Sequence, residues 1–557
     1  MNEADLLFRG GRVFSAGMAG PEASDVAVTG GRISAIGPRL DHLIGPGTEM
    51  IDATGQLLLP GFIDAHVHPV QAGVELLQCE VSAATGAADA LALVGRYAAA
   101  HPDDPWILGG GWAMEWFPGG NPTAAALDAV VGDRPAALSN RDHHGMWVSS
   151  AALRLARITA STPDPADGRI ERDADGNPSG MLHEGAAALL SAVLPPVDPE
   201  LTLRGLLAAQ ARLHSFGITG WQDAMIGGYI DSGNGFGEAY LRAEERGELT
   251  ARVTGALWLD RAATLDTVAE LAALRDACRA DPSRLAFSAV KIMMDGVAEN
   301  HTAALSHPYL DGDGNATGER GISFFEPELL KRLVAALEGA GFDLHFHALG
   351  DRAVTEALDA LEAARSGGGI RDARHQLAHL QMVRAEDVPR FAALGAAANI
   401  QSLWASHEPQ FDELTVPFIA PELIARSYPF GDLVRAGARL AAGSDWPVTS
   451  PNPLQAIRVA VTRVSDDAPA GAEPLGGPAQ QLSLAEALTA YTAGSAWVNR
   501  REHETGRIET GFLADLTLLD RDPFAGPAEA IDQACVVATW VGGRLVYEVP
   551  ASPSSSE

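Results

Sequence analysis

The most constraining feature of this sequence is a regular alternation of short apolar segments with amphipathic, helix-like segments along the middle of the chain. Helical patterns at 329–337 and 353–364 separate apolar runs, which fall at 286–294, 342–347, 375–380, 397–401 and 439–445. Repeated β-then-α units predict a parallel sheet, and so many over roughly 400 residues favour a closed (β/α)8 barrel. A doubly wound open sheet is the alternative, but the Gly-x-Gly-x-x-Gly turn that normally follows its first strand is not found.

A second constraint is the pair His66 and His68, which follows the apolar run at 57–60. Residues i and i+2 of a strand point to the same face, so the two imidazoles would lie side by side at the C-terminal end of the strand. In a parallel barrel the chemistry takes place at that end. Two neutral imidazoles on one rigid edge suit zinc or a similar divalent metal. A chance pair of surface histidines is the alternative.

Four further polar residues fall on or at the ends of later predicted strands. These residues are Lys291, His347, His379 and Asp445. Each of them alone is weak evidence, because a buried histidine or aspartate is more often a structural group than a ligand. Their chain order and their common place near strand ends together predict a metal site in the barrel.

The two ends of the chain resemble each other. Alternating apolar runs flank Gly-Gly at 30–31 and again at 542–543, and each pattern predicts a β-hairpin. We therefore expect one composite β-sandwich from residues 1–58 and 502–557, although two unrelated hairpins would give the same pattern. The barrel is expected at 59–501. The less regular region 75–200 is expected to be a large insertion after the first barrel strand that covers the active-site mouth.

Composition excludes several classes of partner. The formal net charge of −32 argues against binding to nucleic acid or to an anionic membrane, since both would be repelled. The three cysteines, Cys79, Cys278 and Cys535, are scattered, which indicates neither a disulfide framework nor a cysteine zinc site and fits a cytoplasmic protein. No signal peptide or apolar stretch of membrane-spanning length is recognised.

Longer motifs along nearly the whole chain point to a known family. They are GFIDAHVH at 61–68, DHHGMWVSSAAL at 142–153, FGIT at 216–219, VKIMMDG at 290–296, HALGD at 347–351, GSDWPV at 443–448 and GRIETGFLADL at 506–516. In this combination the sequence resembles the amidohydrolase superfamily, and more narrowly its amidohydrolase-3, or YtcJ-like, branch, which includes N-substituted formamide deformylases. The resemblance implies a distorted TIM barrel with a composite β-sandwich.

The resemblance also implies roles for individual residues. The positions that match the family's metal ligands are His66, His68, His347, His379 and Asp445. Lys291 matches a lysine that is carboxylated by CO2 and bridges two metals, most simply two Zn2+, whereas an unmodified Lys291 would leave one metal. Asp445 is the natural general base and acid. His144 and His347 are candidates to stabilise the oxyanion, although His144 could equally be a packed histidine of the insertion.

Substrate contacts are less well marked. Six of the ten tryptophans fall in segments expected near the barrel mouth: Trp112, Trp116, Trp147, Trp221, Trp404 and Trp446. Aromatic walls favour an apolar or aromatic substituent on the substrate, although core packing explains buried tryptophans as well. Three departures from the family pattern bear on substrate binding: His301 where arginine is common, Ser149 for asparagine, and Ala378 where a glutamate often precedes the histidine.

The sequence thus predicts a metal-dependent hydrolase that cleaves a C–N bond of a small amide, formamide, carbamate or cyclic amide. A mononuclear deaminase of a heterocycle and a non-hydrolytic isomerase or decarboxylase are the alternatives. A binding protein without catalysis is disfavoured by the full ligand set. No Gly-x-Ser-x-Gly elbow is present, and His183-Glu184 lacks the second histidine of a zincin. Family habit suggests a homodimer.

Overall fold

The computed structural model describes residues 3–227, 235–278, 280–368 and 372–550. Its centre is a sheet of eight parallel strands in which each strand pairs with the next along the chain. In chain order the strands are β1 (Phe62–Val67), β2 (Ile218–Ile226), β3 (Arg252–Trp258), β4 (Leu285–Met293), β5 (Asp343–Ala348), β6 (Gln376–His379), β7 (Ala397–Ile400) and β8 (Arg439–Ala442). The Asp445 amide donates to the His66 carbonyl oxygen at 2.7 Å and brings the end of β8 back to β1. The predicted (β/α)8 barrel is confirmed.

Helices cover the outside of the barrel. Their bounds are Pro69–Leu76, Pro199–Ser215, Gly235–Glu245, Leu265–Ala277, Pro327–Gly339, Asp351–Ser366, Val388–Leu394, Pro409–Leu414, Pro421–Ile424, Phe430–Arg435, Pro453–Thr462, Leu484–Thr489 and Ser495–Val498. The helix at Pro327–Gly339 shows why such segments form. Its Glu326 side chain caps the first amides, and Leu330, Leu333, Val334 and Leu337 form one buried stripe toward the barrel. No helix within the described ranges is long and apolar enough to cross a membrane.

Both ends of the chain contribute to two sheets beside the barrel. One sheet has the order Arg32–Gly37, Asp25–Thr29, Leu6–Arg9 and Glu49–Asp52; the other has the order Arg544–Glu548, Val536–Val541, Leu516–Leu519, Leu57–Pro60, Arg12–Val13 and Glu22–Ala23. The hairpins turn at Gly30-Gly31 and at Gly542-Gly543, where all four residues have positive φ, as a two-residue primed turn requires. Phe8 and Trp540 pack edge to face between the sheets, with ring centroids 4.9 Å apart.

Two details of the barrel differ from the sequence analysis. The apolar run at 57–60 belongs to the composite sandwich, where it pairs antiparallel with Leu516–Leu519, and the first barrel strand begins only at Phe62. His68 therefore lies just beyond β1, at the N-terminus of the next helix. Strands β2 and β3 were not predicted, because polar residues such as Gln222 of β2 and Arg252 of β3 interrupt their apolar pattern. Gln222 points into a polar barrel interior, where it contacts His345 and Gln376.

The insertion between β1 and β2 has a sheet and apolar cores of its own. Its strands have the order Gly168–Arg172, Pro178–Glu184, Gly145–Val148, Ala136–Asn140, Ile107–Trp112 and Cys79–Glu80, with helices at Ala87–Ala100, Ala124–Val131 and Ser150–Leu155. The domain bounds 1–58 with 502–557, 59–501 and 75–200 stay predictions. Residues 1–2 and 551–557 lie outside the described residues.

A buried ion pair joins the barrel to the composite sandwich. Arg252, at the start of β3, donates to both carboxylate oxygens of Asp515, at 2.6 and 3.0 Å. The side chains are only 7% and 3% exposed, and Asp515 also accepts the Gly542 amide at 2.6 Å. A bidentate arginine–carboxylate pair is among the stronger hydrogen-bonded arrangements, and removing one partner leaves the other charge buried.

We therefore expect Asp515→Asn to lower the free energy of unfolding by about 3–5 kcal/mol. Urea denaturation at fixed metal content measures this change. Arg242→Gln, which breaks a solvent-exposed pair with Glu200, is the control and should cost at most about 1 kcal/mol. Equal effects of the two substitutions would show that the Arg252–Asp515 pair is not important for joining the two domains.

Candidate metal centre

Three side chains converge at the C-terminal end of the barrel. His66, His379 and Asp445 are buried, and each offers a ligand atom within 4.8 Å of the others. Asp445 Oδ1 lies 3.2 Å from His66 Nε2 and 3.0 Å from His68 Nε2. The His347 ring centroid is 4.5 Å from that of His379. The structure therefore brings together all four predicted histidines and the predicted aspartate.

The loop after β8 is shaped to hold Asp445 at this place. A Cβ atom on Gly443 would lie 2.4 Å from the His66 amide nitrogen, so only glycine fits. The Asp64 carboxylate accepts the Ser444 amide at 3.0 Å and the Ser444 hydroxyl at 2.6 Å. Asp445 itself has φ of +57°, a left-handed conformation that the surrounding contacts must impose on a residue other than glycine.

Lys291 lies in the same cluster. Its Nζ is 3.4 Å from His66 Nε2, and the side chain is almost completely buried. Burial lowers the pKa of Lys291 to about 8, although the charges of Asp445 and Asp223 oppose this shift. A much larger share of the amine is therefore neutral near neutral pH than for an exposed lysine.

The donor set fits a divalent metal. Burial lowers the pKa of His66, His347 and His379, so these imidazoles stay neutral and keep a lone pair for coordination. The Nδ1 atoms of His68 and His379 are buried and have no hydrogen-bond partner among the residues that the structure describes. Buried polar atoms are normally paired, and neutral imidazoles together with a carboxylate are typical zinc ligands.

A second layer of polar residues was not predicted from the sequence. His345 Nε2 lies 2.7 Å from His66 Nδ1, and the other ring nitrogen of His345 contacts the Gln222 side-chain oxygen. This chain of contacts fixes the orientation of the His66 ring. His345 could have been found, because it stands two residues before His347 on one strand and shares its face. Gln222 lies on β2, which the sequence analysis missed.

The insertion contributes His144 to the same region. The His144 Nδ1 atom lies 2.7 Å from Glu184 Oε1, and the His144 ring centroid is 5.2 Å from that of His347. Glu184 also accepts hydrogen bonds from Arg261 at 3.2 Å and from Thr302 at 3.0 Å. Burial would raise the pKa of Glu184, but His144 and Arg261 lower it to about 2. The ionised Glu184 carboxylate therefore accepts a hydrogen bond from the protonated Nδ1 of His144.

Three of the predicted substrate contacts are packing residues instead. Trp112, Trp147 and Trp221 are fully buried in apolar cores. The indole N–H of Trp112 donates to the Leu138 carbonyl oxygen at 2.9 Å, and the other two indoles also donate to protein oxygens. Their rings have no surface left for a ligand, since core packing uses all of it.

The remaining predicted contacts divide into two groups. Trp404 and Trp446 line a cavity beside the candidate ligands. Trp116 is half-buried against the core of the insertion, and His301 stacks on Tyr309 with ring centroids 4.8 Å apart. Neither of these two lines that cavity, and so the substrate role predicted for them is not supported by their placement.

Two adjoining cavities open at this end of the barrel. The smaller, of about 50 Å³, lies directly over the candidate ligands and is also lined by Trp258 of β3. The larger, of about 480 Å³, shares Asp142 and Val448 with the smaller one. The pair therefore offers a reaction site with an adjoining space for a substituent.

Comparison with known proteins gives the family. The sequence model of the Amidohydrolase family, in its amidohydrolase-3 branch, matches residues 49–547. The chain belongs to this family. Membership makes it a hydrolase that acts on carbon–nitrogen bonds other than peptide bonds, as the sequence analysis expected.

Individual relatives are similar over nearly their whole length. The YtcJ protein of Bacillus subtilis is 30% identical over 97% of this chain and 99% of its own. An N-substituted formamide deformylase of Arthrobacter pascens is 28% identical over 94% of this chain and 95% of its own. The crystal structure of an uncharacterized metal-dependent hydrolase from Pyrococcus horikoshii has a TM-score of 0.72 at 23% identity, and the match covers 94% of this chain and 99% of that one. This last likeness shows the common fold.

The contact between His345 and His66 leads to a test of the metal centre. We expect His345→Ala to weaken divalent-metal affinity by about 10–100-fold, because His66 loses the partner that orients its ring. Competition with a chelator, followed by elemental analysis, measures this affinity. His214→Ala is a matched control. His214 is also buried, but it bonds the carbonyl oxygen of Ile218, at the start of β2 and away from the metal centre. Equal metal loss in both variants would contradict the predicted role of His345.

Proposed function

We propose that this chain hydrolyses the C–N bond of an amide, formamide, carbamate or cyclic amide that carries an apolar or aromatic substituent. The observation that carries the proposal is the convergence of His66, His68, His347, His379 and Asp445 beneath a cavity walled by tryptophan. The similarity to an N-substituted formamide deformylase supports the same class of substrate.

The proposed metal ligands are these five residues together with Lys291. Carboxylation of Lys291 would form a bond between Nζ and the carbon of CO2 and release a proton from Nζ, and the resulting anionic carbamate would provide oxygen ligands where a lysine cation cannot coordinate, most simply for two Zn2+. The lowered pKa of the buried amine favours this reaction, because only the neutral amine has a lone pair. A divalent metal at this place would polarise the substrate carbonyl and lower the pKa of bound water.

Asp445 is the proposed general base and acid. Burial would raise the pKa of its carboxyl group, but hydrogen bonding to His68 and the nearby amine of Lys291 lower it to about 2, so the group is ionised at neutral pH. It would accept a proton from the attacking water as the new C–O bond forms. The same proton then passes to the leaving nitrogen as the C–N bond breaks, which completes the hydrolysis.

His144 is the proposed donor to the carbonyl oxygen. Glu184 accepts a hydrogen bond from Nδ1–H. Burial would lower the pKa of His144, but the charge of Glu184 raises it, which favours the imidazolium form whose Nε2–H can donate to the substrate. A donor fixed in this way stabilises negative charge as it develops on the oxygen, without reorganisation during the reaction. His347 is the second candidate for this role, and it competes with its proposed use as a metal ligand.

A mononuclear deaminase of a heterocycle is the second candidate function. Lys291 Nζ lies 3.4 Å from His66 Nε2, so an unmodified lysine would contact a proposed ligand without bridging two metals. This arrangement would leave one metal per chain. An isomerase or decarboxylase of the same fold would bind metal in a similar way, but it would release no amine.

Three measurements on the purified protein test the proposal. Metal content per chain and intact mass under native conditions should give two metals and a mass increment equal to one CO2. A panel of N-aryl and N-arylalkyl formamides, amides and carbamates should then release free amine. One metal without the increment would favour the deaminase, and turnover of substrate without amine or ammonia release would favour the non-hydrolytic alternatives.

We expect His144→Ala to reduce kcat by about 10²–10³-fold while metal content is retained, as is typical when one oxyanion donor is lost. Steady-state kinetics together with elemental analysis checks this. The control is His503→Ala, since His503 is 87% exposed. If metal is lost with activity, His144 acts through the metal centre and not on the substrate.

A further inference from the structure

The larger cavity has aromatic walls that reach the metal centre. Trp404 stacks on His379 with ring centroids 4.9 Å apart and an interplanar angle of 3°. Trp446 follows Asp445 directly, and Phe411 and Tyr428 line the same cavity. A substituent that leaves the reaction site through this cavity would therefore lie between aromatic rings.

Acidic side chains face the same cavity. Glu299 and Glu408 line it, and neither of them forms an ion pair within 4 Å among the residues that the structure describes. Burial raises the pKa of both carboxyl groups, and that of Glu408 to about 7 in spite of the charge of Arg141. Asp142 and the two aspartates at 466 and 467 also contribute to the lining.

The basic groups at the cavity are engaged elsewhere. Arg141 donates to Glu115 and to Gln410, each at 2.9 Å. Arg458 contacts Asp466 and Asp532, each at 2.7 Å. Arg212 lies over two rings, 5.7 Å from the centroid of Phe216 and 6.0 Å from that of Trp446. None of these contacts neutralises Glu299.

An unpartnered acceptor stands next to Glu299. The carboxylate accepts a hydrogen bond from the Thr415 hydroxyl at 2.8 Å and from Gln381 Nε2 at 3.4 Å. The Gln381 side chain lines the cavity and is 2% exposed, but its Oε1 atom has no hydrogen-bond partner among the described residues. A buried acceptor of this kind normally has a donor, and a ligand in the cavity can supply one.

We infer that the larger cavity selects substrates whose substituent carries a protonated amine, with Glu299 as its counter-charge and Gln381 Oε1 as a second acceptor. An alkylammonium group has three N–H donors and no acceptor, so it can donate to a Glu299 carboxylate oxygen and to Gln381 Oε1 at once. The aromatic walls bind the carbon skeleton and attract the cation through their π faces. This inference rests on the proposed hydrolysis and specifies the substrate class for it.

Direct binding tests the inference without any reaction. Isothermal titration of the metal-loaded protein at pH 7 compares benzylammonium with benzyl alcohol, which has the same ring but no charge. We expect benzylammonium to bind at least tenfold more tightly, since hydrogen bonds in which a partner is charged are stronger than those between neutral groups. Equal or weaker binding of the cation by the unmodified protein would overturn the inference without any need for a variant.

Glu299→Gln tests the assigned residue. The amide can still accept the Thr415 hydrogen bond, so the packing around position 299 is kept while the charge is removed. The preference for benzylammonium should fall to within about twofold, while Glu270→Gln, at an exposed position on an outer helix, should retain it. A preference that persists in Glu299→Gln would mean that the amine binds elsewhere, for example at the metal, and would overturn the assignment.

A substrate pair separates this inference from the proposed reaction. N-benzylformamide with a para-aminomethyl group is compared with its para-hydroxymethyl counterpart. We expect the cationic substrate to have at least a tenfold higher kcat/KM, and Glu299→Gln to bring the ratio close to one. Turnover of both substrates at equal rates would overturn the selectivity alone. Glu299-dependent binding of benzylammonium without turnover of either formamide would overturn the reaction and leave the binding site supported.

Discussion

The site depends on the closure of the barrel between its first and last strands. The Asp64 carboxylate binds the Ser444 amide and hydroxyl, and the Asp445 amide donates to the His66 carbonyl oxygen at 2.7 Å. These contacts join residues that are 379 or 380 positions apart in the chain. They hold Asp445 beside His66 and His68 in a left-handed conformation that a free chain would seldom adopt.

The barrel and the insertion contribute different residues to the site. The barrel strands and the residues directly after them supply imidazoles, a carboxylate and a lysine at one rigid edge, which suits coordination. The insertion supplies His144, held by the ionised Glu184, and Asp142 on the boundary between the two cavities. The proposed donor to the carbonyl oxygen therefore comes from the insertion, whereas the proposed metal ligands come from the barrel.

Much of the site could be predicted, since its residues carry local signals. His66, His347 and Asp445 follow or end strongly apolar strands within recognisable motifs, and the glycine pairs of both terminal hairpins are turn signals. Predictions failed where burial does not follow hydrophobicity. Strand β2 contains Gln222 in the polar interior of the barrel, so its apolar period is broken. Trp112 and Trp147 of the insertion proved to be core residues, because aromatic rings serve a core and a binding pocket equally well.

The sequence by itself determined the barrel, the composite sandwich and the chemical types of the ligands, because periodicity, turn residues and strand-end motifs are properties of neighbouring residues. Only the tertiary structure decided which side chains meet. Three contacts join segments far apart in the chain: His345 with His66, Glu184 with His144, and Glu299 with Gln381. Such contacts follow from how the strands, loops and insertion pack together, and no local pattern encodes them.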